Sequence, residues 1–179
     1  MTDDKFNKPY DPKETEGKIY KIWEDSGFFN PDNLPVSTST SKLEPKSFTI
    51  VMPPPNANGN LHVGHSLFIT LEDVMIRYKR MKGFKTLWIP GADHAGFETQ
   101  VVYEKKLEKE GRSRFGMEPK ALFDEIYSFT LENKKNMETQ VKQMGASCDW
   151  SRERFTLDPD IINKVQESSI KMYDDGLIY

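Results

Sequence analysis

Apolar and polar residues recur along this chain in two rhythms, and the changes of rhythm mark its elements. Asp11-Pro12-Lys13-Glu14 has the marks of a helix start: an Asp cap, Pro in the first turn and Glu three residues after the cap. Ile19, Ile22 and Trp23 then share one face, Ser26-Gly27 ends the helix, and Phe28-Phe29 can pack beneath it. From Asn30 to Ser47 the pattern dissolves into Pro, Ser and Thr, with S-T-S-T-S at Ser37 to Ser41, and reads as a surface linker or weak hairpin. The apolar run Phe48-Thr49-Ile50-Val51, closing at Met52, predicts a buried strand. Helical spacing returns from Ser66 to Met81. Leu67, Leu71, Val74, Tyr78 and Met81 form a stripe that Phe68, Ile69, Met75 and Ile76 widen, so this helix is expected to be buried on most sides. Lys82-Gly83 ends it.

Lys85 to Ile89, K-T-L-W-I, reads as a second strand with Trp88 in the core, halted by Pro90-Gly91. A more polar helix follows from about Glu98 to Glu110, then a basic turn from Gly111 to Gly116. A long helix over Pro119 to Met144 places Ile126, Met137, Val141 and Met144 on one face, and Gly145 stops it. Asp149-Trp150 and Phe155-Thr156-Leu157 are irregular or strand-like. Asp158-Pro159 caps a last helix with Ile162, Val165 and Met172 turned inward.

Strand, helix, strand, helix in that order implies an α/β fold whose parallel sheet is joined by right-handed crossovers. Only two or three strands are visible, so the main domain, 48–179, is expected to be the first half of a doubly wound one. Residues 1–47 are expected to form an N-terminal helical appendage with its linker. After Gly176, the run Leu177-Ile178-Tyr179 resembles the opening of another element, which leads to the expectation of a truncated C-terminus.

Composition narrows the function classes. Of 179 residues 36% are hydrophobic and 30% charged, which is enough for a sizeable core in a soluble protein. The net charge of -3, from 25 basic and 28 acidic side chains, gives no basic field that announces an autonomous nucleic-acid-binding module. The single Cys148 rules out an internal disulfide and fits a reducing cytosol. The polar start M-T-D-D-K-F-N-K has no apolar core for a signal peptide, and no run reaches the length of a membrane span, so a cytoplasmic location is expected.

Two loops carry candidate chemistry. The first, Met52 to His65, reads M-P-P-P-N-A-N-G-N-L-H-V-G-H and joins a strand to a helix start, where unpaired amides and the positive end of the helix dipole favour phosphate. Pro53-Pro54-Pro55 stiffens the exit and holds Asn56, and Asn58-Gly59 is a turn pair. Gly64 lets a flat ring lie on the backbone. His62 and His65, three apart, can lean the same way and donate hydrogen bonds to phosphate oxygens. Metal binding is the rival reading, thinly supported without a cysteine cluster or an H-E-x-x-H; accidental decoration of a helix start is the other. The second loop, Gly91-Ala92-Asp93-His94-Ala95-Gly96, follows the second strand. In a parallel sheet it lies on the same carboxyl edge. Asp93 there suits an ammonium group, and His94 a polar contact or the orienting of its neighbour.

These residues resemble class I aminoacyl-tRNA synthetases. The first loop resembles their H-I-G-H type signature with its Pro-Pro-Pro-Asn lead, spanning Pro55, Asn56, Ala57, Asn58, Gly59, Asn60, Leu61, His62, Val63, Gly64 and His65. L-W-I-P-G-A-D-H-A-G-F-E-T-Q is similar to the W-x-P-G-T-D-H-A-G-I-A-T-Q of the valyl members, and Y-D-P-K-E-T-E-G-K-I-Y-K-I-W-E-D-S-G-F-F and D-W-S-R-E-R-F-T-L-D also look like that family. The resemblance implies a Rossmann-like catalytic domain, ATP-dependent activation of valine and transfer to tRNA(Val). It implies that His62 and His65 act on the phosphates of ATP, delivered with Mg2+, and that Gly64 lies under the adenine. Asn56 would join the ATP site, Pro54, Pro55 and Asn56 would line the amino-acid and adenylate pocket, and Asp93 would bind the valine ammonium. No metal-ligating residue is implied in the chain itself, and the full-length enzyme is expected to be a monomer off the membrane.

Ala92 stands for the usual Thr, Phe97-Glu98 for Ile-Ala, and Asn-Ala-Asn-Gly for the commoner Asn-Val-Thr-Gly. The K-M-S-K-S type signature is not found, nor are an editing insertion or an anticodon-binding helical domain. The expectation is therefore that 1–179 alone has no valine-dependent ATP–pyrophosphate exchange. Two other readings remain open: a small H-x-G-H nucleotidyltransferase and a non-catalytic synthetase-like binding module.

Overall fold

Residues 9–34 and 46–179 are described by a computed structural model. The S-T-S-T-S stretch lies outside the described residues. Helix α1, Pro12–Asp25, starts where Asp11 accepts the N–H of Lys13, and a 3-10 turn, Pro31–Asn33, follows it. Strand β1, Ser47–Val51, leads through the first loop to α2, Val63–Met81. Strand β2, Lys85–Ile89, is interrupted at Pro90 and resumes as β3, Gly91–Ala92. Helices α3, Gly96–Lys109, and α4, Pro119–Gln143, come next, followed by the short strand β4, Arg154–Phe155, and α5, Pro159–Asp174.

The strands are parallel. β1 pairs with β2 over its whole length, Ser47 opposite Lys85 through Val51 opposite Ile89. β3 pairs with β4, Gly91 opposite Arg154. β2 and β3 thus form the middle of a three-stranded surface, and Asp149 N–H to Trp88 O (2.8 Å) and Arg154 N–H to Pro90 O (3.1 Å) extend its far edge. Among the described residues no helix is long and apolar enough to cross a membrane.

The core lies between this sheet, α2 and the end of α4. Met52, Ile69, Ile76, Trp88, Val141, Ala146 and Cys148 are buried together, and burial pushes the Cys148 thiol well above its usual range. Trp88 is 0% exposed and its indole N–H donates to Glu72 on α2 (2.9 Å).

Several expected faces are turned otherwise. α2 begins at Val63, not at Ser66, because His62 caps it. Its stripe of Leu67, Leu71, Val74, Tyr78 and Met81 is exposed, and the buried side is that of Ile69 and Ile76. Polar side chains of α2 face inward instead. Asp73 accepts from the N–H and hydroxyl of Ser147, while Arg77 and Arg80 donate to the carbonyls of Gly145 and Ser147. The Gly145–Cys148 segment has no regular partner for its backbone, so α2 supplies polar ones. On α1 the buried residue is Tyr20, whereas Ile22 is exposed. α5 buries none of its residues, so Val165 and Met172 do not face inward.

Candidate active site

The first loop leaves the sheet with Met52 still in register, its N–H on Ile89 O at 2.9 Å. Pro53 and Pro54 are exposed, while Pro55 and Ala57 are buried. The carbonyl of Pro55 accepts the N–H of Asp93 (2.9 Å), and Asp93 O accepts the N–H of Ala57 (2.7 Å). Asn56 therefore stands opposite Asp93 as a parallel bridge. Gly91 makes this approach possible: a Cβ there would lie 3.3 Å from Pro54 Cβ and 3.4 Å from Arg154 O. Asn58 and Gly59 form the turn. Asn60 then accepts from Asn136 (2.7 Å) and Gln140 (3.1 Å) of α4, and Gln140 Oε1 accepts the N–H of Leu61 (2.8 Å). Helix α4 so fixes the residue that precedes His62.

His62 is an unusual cap, since the role normally falls to a side-chain oxygen. Here Nδ1 of His62 accepts the N–H of Gly64 (3.1 Å), and Nδ1 of His65 accepts the N–H of His62 (3.1 Å). An Nδ1 that accepts leaves the proton of the neutral ring on Nε2. The two rings lie 3.9 Å apart, tilted by 35°. The helix start thus presents two imidazole Nε2–H donors at the positive end of the α2 dipole, an arrangement that suits phosphate oxygens. Partial burial and the neighbouring His62 hold His65 below the usual histidine range. A Cβ on Gly64 would sit 2.9 Å from Cε1 of His62, so glycine leaves the room in which the His62 ring folds back. Val63 points to solvent.

The second loop is held in a strained shape. Ala95, at φ 54°, is the one non-glycine residue with positive φ among the described residues. That conformation costs about 1–2 kcal/mol. The N–H of Ala95 donates to Asp93 Oδ1 (2.9 Å), and the buried Thr99 hydroxyl donates to His94 O (2.6 Å). Both Asp93 and His94 also meet the hydroxyl of Thr156, one residue past β4. Oδ2 of Asp93 has no hydrogen-bond partner among the described residues.

The structure therefore brings Asn56 beside Asp93, and His62 beside His65, along one edge of the sheet. Among the described residues no group of three His, Cys, Asp or Glu side chains could hold a metal ion. A cavity of about 880 Å3 lies elsewhere, between α1 and the end of α4, lined by Tyr10, Lys13, Glu16, Trp23 and Lys142 among others, and none of the loop residues touches it. Gln140, Thr99 and Thr156 are the residues that reading the chain did not single out. Each acts through a tertiary contact, and no local pattern marks them.

A parallel sheet with a histidine-bearing helix start and the Asp93 loop on one edge has the architecture of a Rossmann-like α/β domain. Residues 18–179 match the model of the family described as tRNA synthetases class I (I, L, M and V), and the chain belongs to that family. It is similar to the valine–tRNA ligase of Treponema denticola, 45% identical over 174 residues that cover 97% of this chain and 18% of the relative. It is likewise similar to the valine–tRNA ligase, chloroplastic/mitochondrial 2, of Arabidopsis thaliana, 47% identical over 92% of this chain and 16% of the relative. The chain thus spans under a fifth of the length of these curated relatives. Among solved structures, a LeuRS from Agrobacterium radiobacter, in a ternary complex with tRNA and LeuAMS, matches 96% of this chain and 19% of its own. Its TM-score of 0.71 at 22% identity shows the shared Rossmann-like α/β fold.

Proposed function

We propose that this chain provides the ATP- and amino-acid-binding part of a valine–tRNA ligase and takes part in making valyl-adenylate, from which valine passes to tRNA(Val). The observation that carries the reading is the pairing of two Nε2–H imidazoles at a helix start with a carboxylate loop, knit edge to edge through Pro55, Asn56 and Asp93. Identity of 45% and 47% to two valine–tRNA ligases over nearly the whole chain supports valine as the amino acid.

In this reading His62 and His65 donate to the phosphates of ATP, whose accompanying Mg2+ would supply further charge neutralisation. Gly64 leaves the helix start open to the adenine. Asn56 joins the nucleotide site, Pro54 and Pro55 shape the pocket, and Asp93 Oδ2 receives the valine ammonium. A valine carboxylate oxygen attacks the α-phosphorus, the bond from that phosphorus to the bridging oxygen breaks, and pyrophosphate leaves with the electron pair. The carboxylate is already ionised, so no side chain need remove a proton. The protein supplies position and electrostatics. Residues 48–179 hold the site and the helix of 1–47 buttresses it. The full enzyme acts in the cytoplasm as a monomer.

Calorimetric titration of the chain with a non-hydrolysable valyl-adenylate analogue tests the reading. Saturable binding is expected, weakened about tenfold or more by Asp93→Asn, which removes the charge facing the ammonium. Absence of binding by a folded chain, or binding indifferent to Asp93→Asn, would overturn it.

A further inference from the structure

We propose that Thr156 is a positioning residue of the amino-acid site: its hydroxyl orients the Asp93 carboxylate and fixes His94 with its proton on Nδ1. The inference rests on the reading of Asp93 as the ammonium partner. Thr156 Oγ1 has one proton to give and two lone pairs to receive. The N–H of His94 donates to it at 2.9 Å. Asp93 Oδ1 lies 3.2 Å away and, as a carboxylate oxygen, has no proton, so the hydroxyl proton belongs between these two oxygens. His94 Nδ1, 2.5 Å from the same hydroxyl, must then bring a proton of its own. The 3.5 Å between Nδ1 and Asp93 Oδ1 points the same way, since a bare lone pair there would face the carboxylate.

Two consequences follow for the site. Oδ1 of Asp93 is saturated by Thr156 and by the N–H of Ala95, which leaves Oδ2 for the incoming ammonium. His94 presents Nε2 as an acceptor when neutral, the reverse of His62 and His65, whose Nδ1 atoms accept. The hydroxyl is itself well anchored. The N–H of Thr156 donates to Ala92 O (3.2 Å), and the preceding Phe155 is buried with its N–H on Asp158 Oδ2 (2.9 Å).

The chain has three histidines, so long-range proton–nitrogen NMR spectra at about pH 8, where neutral imidazoles dominate, can read each tautomer. Two rings are expected with Nε2–H, and the third, assigned by His94→Gln, with Nδ1–H. Thr156→Val keeps the shape and removes the hydroxyl. It is expected to shift His94 alone toward Nε2–H and to weaken binding of the valyl-adenylate analogue about tenfold. Thr156→Ser is expected to restore both. A general folding defect would disturb His62 and His65 as well. An Nε2–H His94 in the unmodified chain, or a Thr156→Val variant with unchanged tautomer and affinity, overturns the proposal. Should Thr156→Val fail to fold, the tautomer in the unmodified chain decides it. The expected tautomers with no analogue binding by the unmodified chain would refute the valine reading and leave the hold of Thr156 on His94 standing.

Discussion

In the proposed site the two histidines of the first loop can serve phosphate only because they are also structural. Each gives its Nδ1 to a backbone N–H, and this use of one ring nitrogen determines that the other is a donor. Protonating His65 puts a hydrogen on Nδ1, where the N–H of His62 already points. The folded state therefore disfavours the imidazolium, in keeping with the lowering of His65 by burial and by His62. Unfolded chain binds this proton more readily than folded chain. The contribution of the cap is thus fully present above the ordinary histidine value of about 6.5, and is lost as pH falls through the lower folded value. Asn at this position can accept the same N–H without titrating. His65→Asn is accordingly expected to flatten the change in melting temperature between about pH 7.5 and 5.5, relative to the unmodified chain. Parallel curves for the two proteins would show that His65 is not the group involved. Gly64 belongs to the same unit. Gly64→Ala is expected to expel the His62 ring from its cap and to abolish binding of the valyl-adenylate analogue, even though Ala favours helices.

At the scale of elements, α2 shows what periodicity can and does not say. Its apolar residues recur at helical spacing, and the helix is there. Spacing gives no hint of which face meets the sheet. That choice is made by Ile69 and Ile76 against Trp88 and Met52, and by Asp73, Arg77 and Arg80, which satisfy the backbone of 145–148. Ile76→Ala, at 0% exposure, is expected to cost about 2–4 kcal/mol in urea unfolding. Leu71→Lys and Val74→Glu, at 56% and 59% exposure, are expected to stay within about 0.5 kcal/mol. Equal losses at all three would mean that the stripe is covered. The strand K-T-L-W-I, the Asp11 cap and the Gly145 stop were legible because each is a local matter of pattern or backbone. So was the adjacency of the two loops, since both follow strands of one parallel sheet. β4 was harder to read: two residues give no rhythm, and the strand exists through its pairing with Gly91 and Ala92. For the same reason Thr156 and Gln140 carried no signal, being ordinary polar residues whose partners lie 62 and 79 positions away.

Across the whole molecule, the site edge and the N-terminal helix are tied to neighbouring turns of one support, the C-terminal end of α4 and the segment after it. Gln140 of α4 grips Leu61 beside the histidines, and the next turns of the chain, Lys142 to Trp150, receive α1. Tyr20 is the centre of that docking. Its hydroxyl donates to Ala146 O (2.9 Å) and accepts the indole N–H of Trp150 (2.8 Å), while its ring packs with Trp23 and Phe29. Burial raises the phenol well above its ordinary range, so it stays protonated and keeps donating around neutral pH. Lys142 adds an ion pair with Glu24, and Arg77 lies 4.9 Å over the Trp23 ring, but both are partly exposed and contribute less. Tyr20→Phe keeps the packing and strips both hydrogen bonds, leaving the carbonyl of Ala146 and the Trp150 N–H without their partner. It is expected to cost about 1–3 kcal/mol in urea unfolding, with the histidine spectra unchanged. A loss below about 0.5 kcal/mol would assign the docking to the aromatic ring contacts rather than the hydroxyl. Disturbed His62 and His65 signals would instead show that α1 shapes the candidate site through α4.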